Sequence, residues 1–504
     1  MDSPKQEVYH LYNTDTPSSM SPDKVSLRPK RDGWTRLLVL AAVSTTLGSA
    51  VPFGYNIGVI NTPAPLIQQW CNQSLASYSL TPAGLDMLWS TIVSAFLVGG
   101  MIGSFAGSWS ADYVGRKGAL VVSDILGCLS AVMFFVSKPM SSVTCLLLAR
   151  FVVGLSSGLT LSVMPMYLME LAPDSVRGAV AVLTTFGVTF GVLLAQFMGL
   201  DWLLGTADLW HYLLSLHLVL ILVSATALPT LPESPKYLYI VRGLRQRALK
   251  ELSRLRGYPA EEVAHELELG EGRGDTRGEW GVASLLSTPS MRLPLALVCA
   301  LQAGQQCSGI NAVFYYSTRI FQSAGMSQTG AQYANLGAGV INFSMSAAMI
   351  PVVNSCKRRS LLHFSLIPTT ITLVLLPLSI SFSDAVSWMP NFSIFCVLFY
   401  VLVYGCGLGP IPYFIGSELF DVGPRAPAMA LGSVAQWIGN LTVGMTFPIL
   451  QRLWGQNCFY LFAASTAALT VFIHLKLPET FTPRQAVRAT GSEKRPLSKQ
   501  VTSA

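Results

Sequence analysis

The strongest constraint on this chain is a stretch of about 20 mostly apolar residues that recurs along nearly its whole length. Twelve such runs are legible, at about 37–59, 87–107, 118–137, 144–165, 179–200, 210–230, 293–316, 331–353, 360–382, 392–415, 427–450 and 458–477. A hydrocarbon core of about 30 Å needs about 20 helical residues, so each run is long enough to cross one. The runs are continuous and do not alternate, which favours helices over a β-barrel. Only 12% of the 504 residues are charged, about half the share a soluble chain carries. These features predict an all-α membrane protein with twelve transmembrane helices.

Charge placement sets the expected orientation. With both termini inside, 29 of the 33 Lys and Arg fall on the cytoplasmic side, leaving Lys138, Arg150, Arg319 and Arg452 at or beyond the outer face. The opposite topology would invert that ratio and break the positive-inside rule. The net charge of +7 is therefore a property of topology, and no nucleic-acid surface is expected. Most of the nine cysteines, including Cys128, Cys145, Cys299, Cys396 and Cys406, are scattered within the runs and suggest no disulfide framework. The polar segment 1–36 lacks a cleavable-signal pattern and reads as a disordered cytoplasmic tail. Asn72-Gln73-Ser74 follows the first run on the predicted outer side and is a candidate glycosylation acceptor at Asn72.

One stretch resists the apolar pattern. Residues Gln302 to Tyr316 carry Gln302, Gln305 and Gln306, then Ser308-Gly309, Asn311, Tyr315 and Tyr316. Burying carboxamides in hydrocarbon without partners costs several kcal/mol each. They therefore serve either helix–helix hydrogen bonds or a hydrated pocket for a neutral, hydroxyl-rich ligand. On an unbroken helix Gln305 and Asn311 would sit about 120° apart. They face one ligand only if the helix unwinds near Ser308-Gly309, which a glycine permits.

The chain also repeats itself. Glu170 and Arg177 follow the fourth run, Glu418 and Arg425 the tenth, with a spacing of seven positions in each pair. The offsets between halves are 418 − 170 = 248 and 425 − 177 = 248, and Pro232-Glu-Ser returns as Pro478-Glu-Thr at 478 − 232 = 246. Common offsets imply two duplicated six-helix bundles. The expected organisation is a tail (1–36), an N-terminal bundle (37–230), a linker (231–292), a C-terminal bundle (293–477) and a C-tail (478–504). Within the linker, Leu249, Leu252, Leu255, Val263 and Leu267 recur at helical spacings, predicting short cytoplasmic helices.

Phe53-Gly-Tyr-Asn, Gly115-Arg-Lys, Pro165-Met-Tyr, Pro232-Glu-Ser-Pro-Lys, Gln305-Gln-Cys-Ser-Gly-Ile-Asn-Ala, Gly409-Pro-Ile-Pro-Tyr and Pro478-Glu-Thr occur in order. Together they resemble the facilitative hexose transporters, the sugar-porter branch of the major facilitator superfamily, over nearly all of 37–480. Asp384-Ala-Val-Ser-Trp-Met-Pro, and Ala-Gly after Gln302, lean toward the fructose-type branch. The resemblance implies uniport of a hexose, glucose and/or fructose, across the plasma membrane by alternating access. It implies no cofactor or metal and no obligate protein partner beyond the sugar and the lipid bilayer. It assigns sugar binding to Gln196, Gln305, Gln306, Asn311, Asn342 and Asn440, with Trp437 nearby and Tyr413 where a tryptophan is usual. Amides donate and accept together, which suits vicinal hydroxyls. Four to six net bonds of about 0.5–1.5 kcal/mol give roughly 4 kcal/mol, near millimolar affinity.

The resemblance further implies a cytoplasmic gate of Arg116, Glu170, Arg177, Arg358, Arg359, Glu418 and Arg425. This gate is depleted in the second half, where Asn354 replaces a glutamate and Lys357 a glycine; Ser108 replaces a glycine in the first half. The expectation is a weaker inner latch. Thr185, Gly405 and Gln436 also depart from the family pattern and bear on which solute is chosen. Proton-coupled relatives carry an acid where this chain has Asn56, so uniport is favoured; Asp124, deep in the third run, is the ionisable residue that symport would need.

Other readings are a carrier of a polyol or urate, a proton symporter and a non-transporting sugar sensor. Histidines at 10, 211, 217, 265, 363 and 474 show no metal-ligand spacing, and no nucleophile or phosphate-loop motif is present, so an enzyme is not expected.

Overall fold

The computed structural model describes residues 33–479, apart from 79–80, 174–175, 273–281, 324, 354–355, 383–384 and 421. The tails at 1–32 and 480–504, Asn354 and Asp384 lie outside the described residues, as do the side chains of Ser108, Tyr315, Tyr316, Arg319 and Arg425. In the described chain, twelve helical segments follow the twelve apolar runs in order. They are α1 Arg36–Gly58, α2 Pro82–Tyr113, α3 Arg116–Ser137, α4 Val143–Leu171, α5 Arg177–Met198 and α6 Trp210–Thr230. Next come α7, split into Pro289–Cys307 and Ile310–Ser323, α8 Gln328–Val353 and α9 Arg358–Ser381. The last are α10, split into Met389–Cys406 and Ile411–Leu419, α11 Val422–Trp454 and α12 Phe459–Lys476.

Among the described residues eight helical stretches are long and apolar enough to cross a membrane on those criteria alone. Helices α5, α7, α8 and α11 are not among them, and these carry the buried amides Gln196, Gln302, Gln305, Gln306, Asn311, Gln332, Asn335, Asn342, Gln436 and Asn440. Polarity that weakens a span is thus concentrated on the helices that meet in the interior.

Helices α1–α6 pack among themselves, chiefly α2 and α3 on α4 and α1 on α5. Helices α7–α12 do likewise, chiefly α11 on α7 and α9 on α10 and α12. Two main seams join the sets, α2 against α11 and α5 against α8, with a smaller contact between the second half of α7 and α1. Glycines permit the closest approaches. A Cβ on Gly103 or Gly154 would enter the backbone of the facing helix, α4 or α2. Arg150, fully buried in α4, donates to the carbonyls of Asn56 (3.1 Å) and Ile92 (3.4 Å) and lies 4.7 Å over the Phe96 ring. It ties α4 to α1 and α2 from within the helix packing.

Linker helices Arg245–Arg256 and Ala260–Gly272 form where the apolar spacing placed them. Ala248, Leu252, Val263 and Leu267 close a small core between them, while Leu255 packs into the first bundle. Arg256 then anchors the pair, bonding Glu266 at 2.7 Å and the Leu171 carbonyl at 2.9 Å.

Candidate functional site

The amide-rich stretch lies where two helices are broken. Helix α7 stops at Cys307 and resumes at Ile310, and Gly309 between them has φ +86°, a conformation that costs an L-residue about 1–2 kcal/mol. Helix α10 is interrupted over residues 407–410. Each break frees backbone carbonyls, and in a low-dielectric interior those need donors from elsewhere.

The two breaks cap one another. Gln305 Nε2 donates to the Leu408 carbonyl (3.0 Å) and the Gly409 carbonyl (2.7 Å) at the break in α10. In return, the Tyr400 hydroxyl of α10 donates to the Ser308 carbonyl (2.9 Å) at the break in α7. Gln302 Nε2 adds a bond to the Pro412 carbonyl at 3.0 Å. The amides then form a relay, with Asn311 Nδ2 donating to Gln306 Oε1 and Gln306 Nε2 donating to Gln305 Oε1 (3.0 Å). Unwinding at Ser308-Gly309 therefore does bring Gln305 and Asn311 into one network. Gln305 is committed inward to the scaffold, while Asn311 ends the relay with no donor to its Oδ1 among the described residues.

Asn342 of α8 and Asn440 of α11 differ from that set. Both are buried, and among the described residues Asn342 makes no side-chain hydrogen bond and Asn440 Oδ1 is without a donor. Gln196 of α5 reaches across the seam, donating to Asn335 Oδ1 at 2.8 Å, with its own Oε1 unpartnered. Tyr413 accepts a bond from Gln436 Nε2 at 2.8 Å, so two departures from the family pattern satisfy each other. A third has a steric reason: a Cβ on Gly405 would lie 2.9 Å from Met345 Cβ, so glycine lets α8 settle on α10. Trp437 is buried across the α2 seam, its indole N–H donating to Ser104 Oγ (2.7 Å) and its ring against Phe53, Phe96 and the face of Gly100.

The charged residues form two matching clusters. Arg116 at the start of α3 pairs with Glu170 of α4 (3.1 Å), and Arg358 at the start of α9 pairs with Glu418 of α10 (3.0 Å). Glu233 Oε1 accepts the N–H groups of Arg116 (3.0 Å) and Lys117 (3.2 Å), capping α3 from the segment after α6. Glu479 Oε1 accepts the Arg358 N–H at 2.9 Å in the second bundle. These acids sit at helix N-termini, where orphan N–H groups and the dipole favour a carboxylate. Burial pushes the Glu233 carboxyl up, opposed by its N–H donors and by Arg116. Glu233 and Glu479 were not among the expected gate residues, although the repeated Pro-Glu pair was their signal.

The clusters are not identical. Gly115 caps α3 with φ +90°, whereas Lys357 caps α9 at φ −64°, so the lysine sits in a relaxed turn of different shape. Arg177 opens α5, and Arg359 donates to the His474 carbonyl instead of joining Glu418. At the opposite end Asp86 of α2 and Arg452 of α11 pair at 3.7 Å across the seam, and Asn72 is exposed. Sequence reading also missed Gln332 and Asn335. With Gly339, Asn342 and Ser346 they fall at spacings of three and four on one face of α8, and Ser346 bonds Thr189 of α5 at 2.7 Å. Among the described residues Asn56 lines a small polar cavity between α1, α3, α4 and α6, with Ser49, Ser157, Thr160 and His217. Asp124 is buried in α3.

Two helical bundles joined along two seams, with mutually capped helix breaks and an amide relay in the second bundle, define a multi-pass membrane transporter of the major facilitator type. The chain belongs to the sugar (and other) transporter family, whose model matches residues 41–483. It is 38% identical over 460 residues to the Bos taurus solute carrier family 2 facilitated glucose transporter member 4, covering 90% of both chains. It is 38% identical to member 1 of Gallus gallus over 452 residues, covering 88% of this chain and 91% of that one. Member 5 of Equus caballus is 35% identical over 456 residues, covering 90% and 91%. The fold matches the proton:xylose symporter XylE bound to 6-bromo-6-deoxy-D-glucose, with TM-score 0.72, 24% identity, and coverage of 88% of this chain and 96% of that one. The chain is a transporter, and the family carries sugars.

Proposed function

We propose that this chain is a facilitative hexose uniporter, for glucose and/or fructose, in the plasma membrane with both termini cytoplasmic. The observation that carries the reading is the amide relay of Asn311, Gln306 and Gln305 between the facing breaks of α7 and α10. A neutral ligand with hydroxyls on every carbon needs neighbours that both donate and accept, and uncharged amides supply both without an ion in hydrocarbon. Asn311, Asn342, Asn440 and Gln196 have unused capacity and would touch the sugar. Gln305 and Gln306 would position them, and Trp437 and Tyr413 would line the path from the seam and from α10. Asn56 fits uniport, since an amide cannot cycle a proton.

Alternating access would rock residues 37–230 against 293–477, with 231–292 as the cytoplasmic link. The Arg116–Glu170 and Arg358–Glu418 clusters would form the inner gate, with Arg177, Arg359 and Arg425 beside them. The Asp86–Arg452 and Gln196–Asn335 contacts support an outer side that is closed in this structure. Exposed Asn72 fits a glycosylation site on that side. The test is counterflow of labelled glucose, fructose, a polyol and urate in proteoliposomes. Stereoselective hexose exchange, lost in Gln305→Ala and without proton movement, is the expected result; exchange of urate or a polyol alone would replace the hexose reading.

A further inference from the structure

His363 lies in the second turn of α9 and His474 in the last turn of α12, 111 residues apart, and the fold brings their rings together. His363 Nε2 and His474 Nδ1 are 3.2 Å apart, with the rings at 80°. The tautomer of His363 follows from its other nitrogen. Nδ1 lies 2.7 Å from the Arg359 carbonyl, which only accepts, so Nδ1 bears the hydrogen and Nε2 presents a lone pair toward His474. A backbone carbonyl holding the far nitrogen of an imidazole is the usual outer support of a metal-ligating histidine.

The chain's own duplication argues that the fold does not require imidazoles here. Arg358 and Glu479 of the second bundle correspond to Arg116 and Glu233 of the first, at offsets of 358 − 116 = 242 and 479 − 233 = 246. The same offsets carry His363 to Val121 and His474 to Leu228, both apolar. An equivalent pair of helices packs without either ring.

We propose that His363 and His474 form a two-histidine site for a divalent first-row transition ion, with Zn²⁺ as the working case and water completing its coordination. Imidazole nitrogens suit zinc, copper and nickel and not magnesium or calcium. With metal–nitrogen bonds of about 2.0–2.1 Å, nitrogens 3.2 Å apart subtend roughly 100° at the metal, close to tetrahedral. Binding is balanced in protons: His474 Nδ1 gives up its shared hydrogen as the ring adopts its Nε2–H tautomer. The ion would fasten α12 to α9 beside the Arg358 cluster. Among the described residues no group of three such ligands exists, so this is a site of two protein ligands.

The test uses the full chain, purified without a polyhistidine tag and titrated with Zn²⁺ against a chromophoric competitor. The wild type should bind one more ion than His363→Ala or His474→Ala, and Zn²⁺ should raise its Tm but not theirs. His474→Gln, on an exposed last turn, carries the test if an alanine variant fails to fold, and should bind at least tenfold more weakly at this site. Equal stoichiometry and affinity in the wild type and the variants would overturn the proposal. The site does not depend on the identity of the transported solute.

Discussion

Gln305 and Asn440 are both buried amides, yet their surroundings give them different tasks. Gln305 supplies hydrogens to two carbonyls freed by the break in α10, so Gln305→Ala orphans them, at a cost of about 1–3 kcal/mol. Its Tm should fall together with its exchange rate. Asn440 Oδ1 has no protein donor, so Asn440→Ala should leave the Tm nearly unchanged while exchange affinity drops about tenfold, the worth of one good hydrogen bond. Thermal melts run beside counterflow separate the two. If Asn440→Ala lowers the Tm as far as Gln305→Ala does, the division between scaffold and sugar amides is wrong. Cys71 offers a check outside the spans: burial pushes its thiol up to about 12, so it should resist maleimide at pH 7.5 until the protein is denatured.

At the scale of elements, the breaks in α7 and α10 are the most informative features, and they differ in how far the chain announces them. Ser308-Gly309 amid closely spaced amides is a local signal, and the angle between Gln305 and Asn311 let them face one ligand only if the helix unwound there. Gly309→Ala should therefore lower both Tm and transport. Its Cβ would be held at positive φ and would lie 2.7 Å from the Phe462 ring, a combined penalty of at least about 1–2 kcal/mol. Gly409-Pro-Ile-Pro-Tyr was legible as a motif, but not Leu408 and Gly409 as the acceptors of Gln305, because that contact depends on how α7 and α10 are apposed. The polar stripe of α8 was missed for a similar reason. Gln332 and Asn335 are ordinary polar residues until α5 is laid against them and Gln196 reaches Asn335. Repetition reached only part of this: matching offsets picked out Glu170 and Glu418, but their arginine partners are Arg116 and Arg358 and not the Arg177 and Arg425 of the offset pairs, and the caps from Glu233 and Glu479 needed the folded ends of the bundles.

Across the whole molecule the two seams decide which end is shut. Arg452–Asp86 is half-exposed and worth about 0–1 kcal/mol, so Arg452→Gln should shift the population toward an outward-open form by no more than about fivefold. Cysteine labelling near the outer mouth would read that shift, and unchanged labelling would remove the pair from the gating balance. The Trp437 seam should matter more: Ser104→Ala leaves a buried indole N–H without an acceptor, and about 1–3 kcal/mol should be lost from the closed form, seen as faster labelling at the same positions. On the proposed gate, Asn354→Glu should reduce labelling at the inner mouth, and unchanged labelling would count against a weakened latch there. The uneven polarity of the helices reaches back to synthesis. Helix α8, with three buried amides on one face, is a poor candidate for leaving the translocon alone. It should linger there until α9 and α10 emerge, so a nascent chain cut after α8 would release that segment to the aqueous side more readily than one cut after α10.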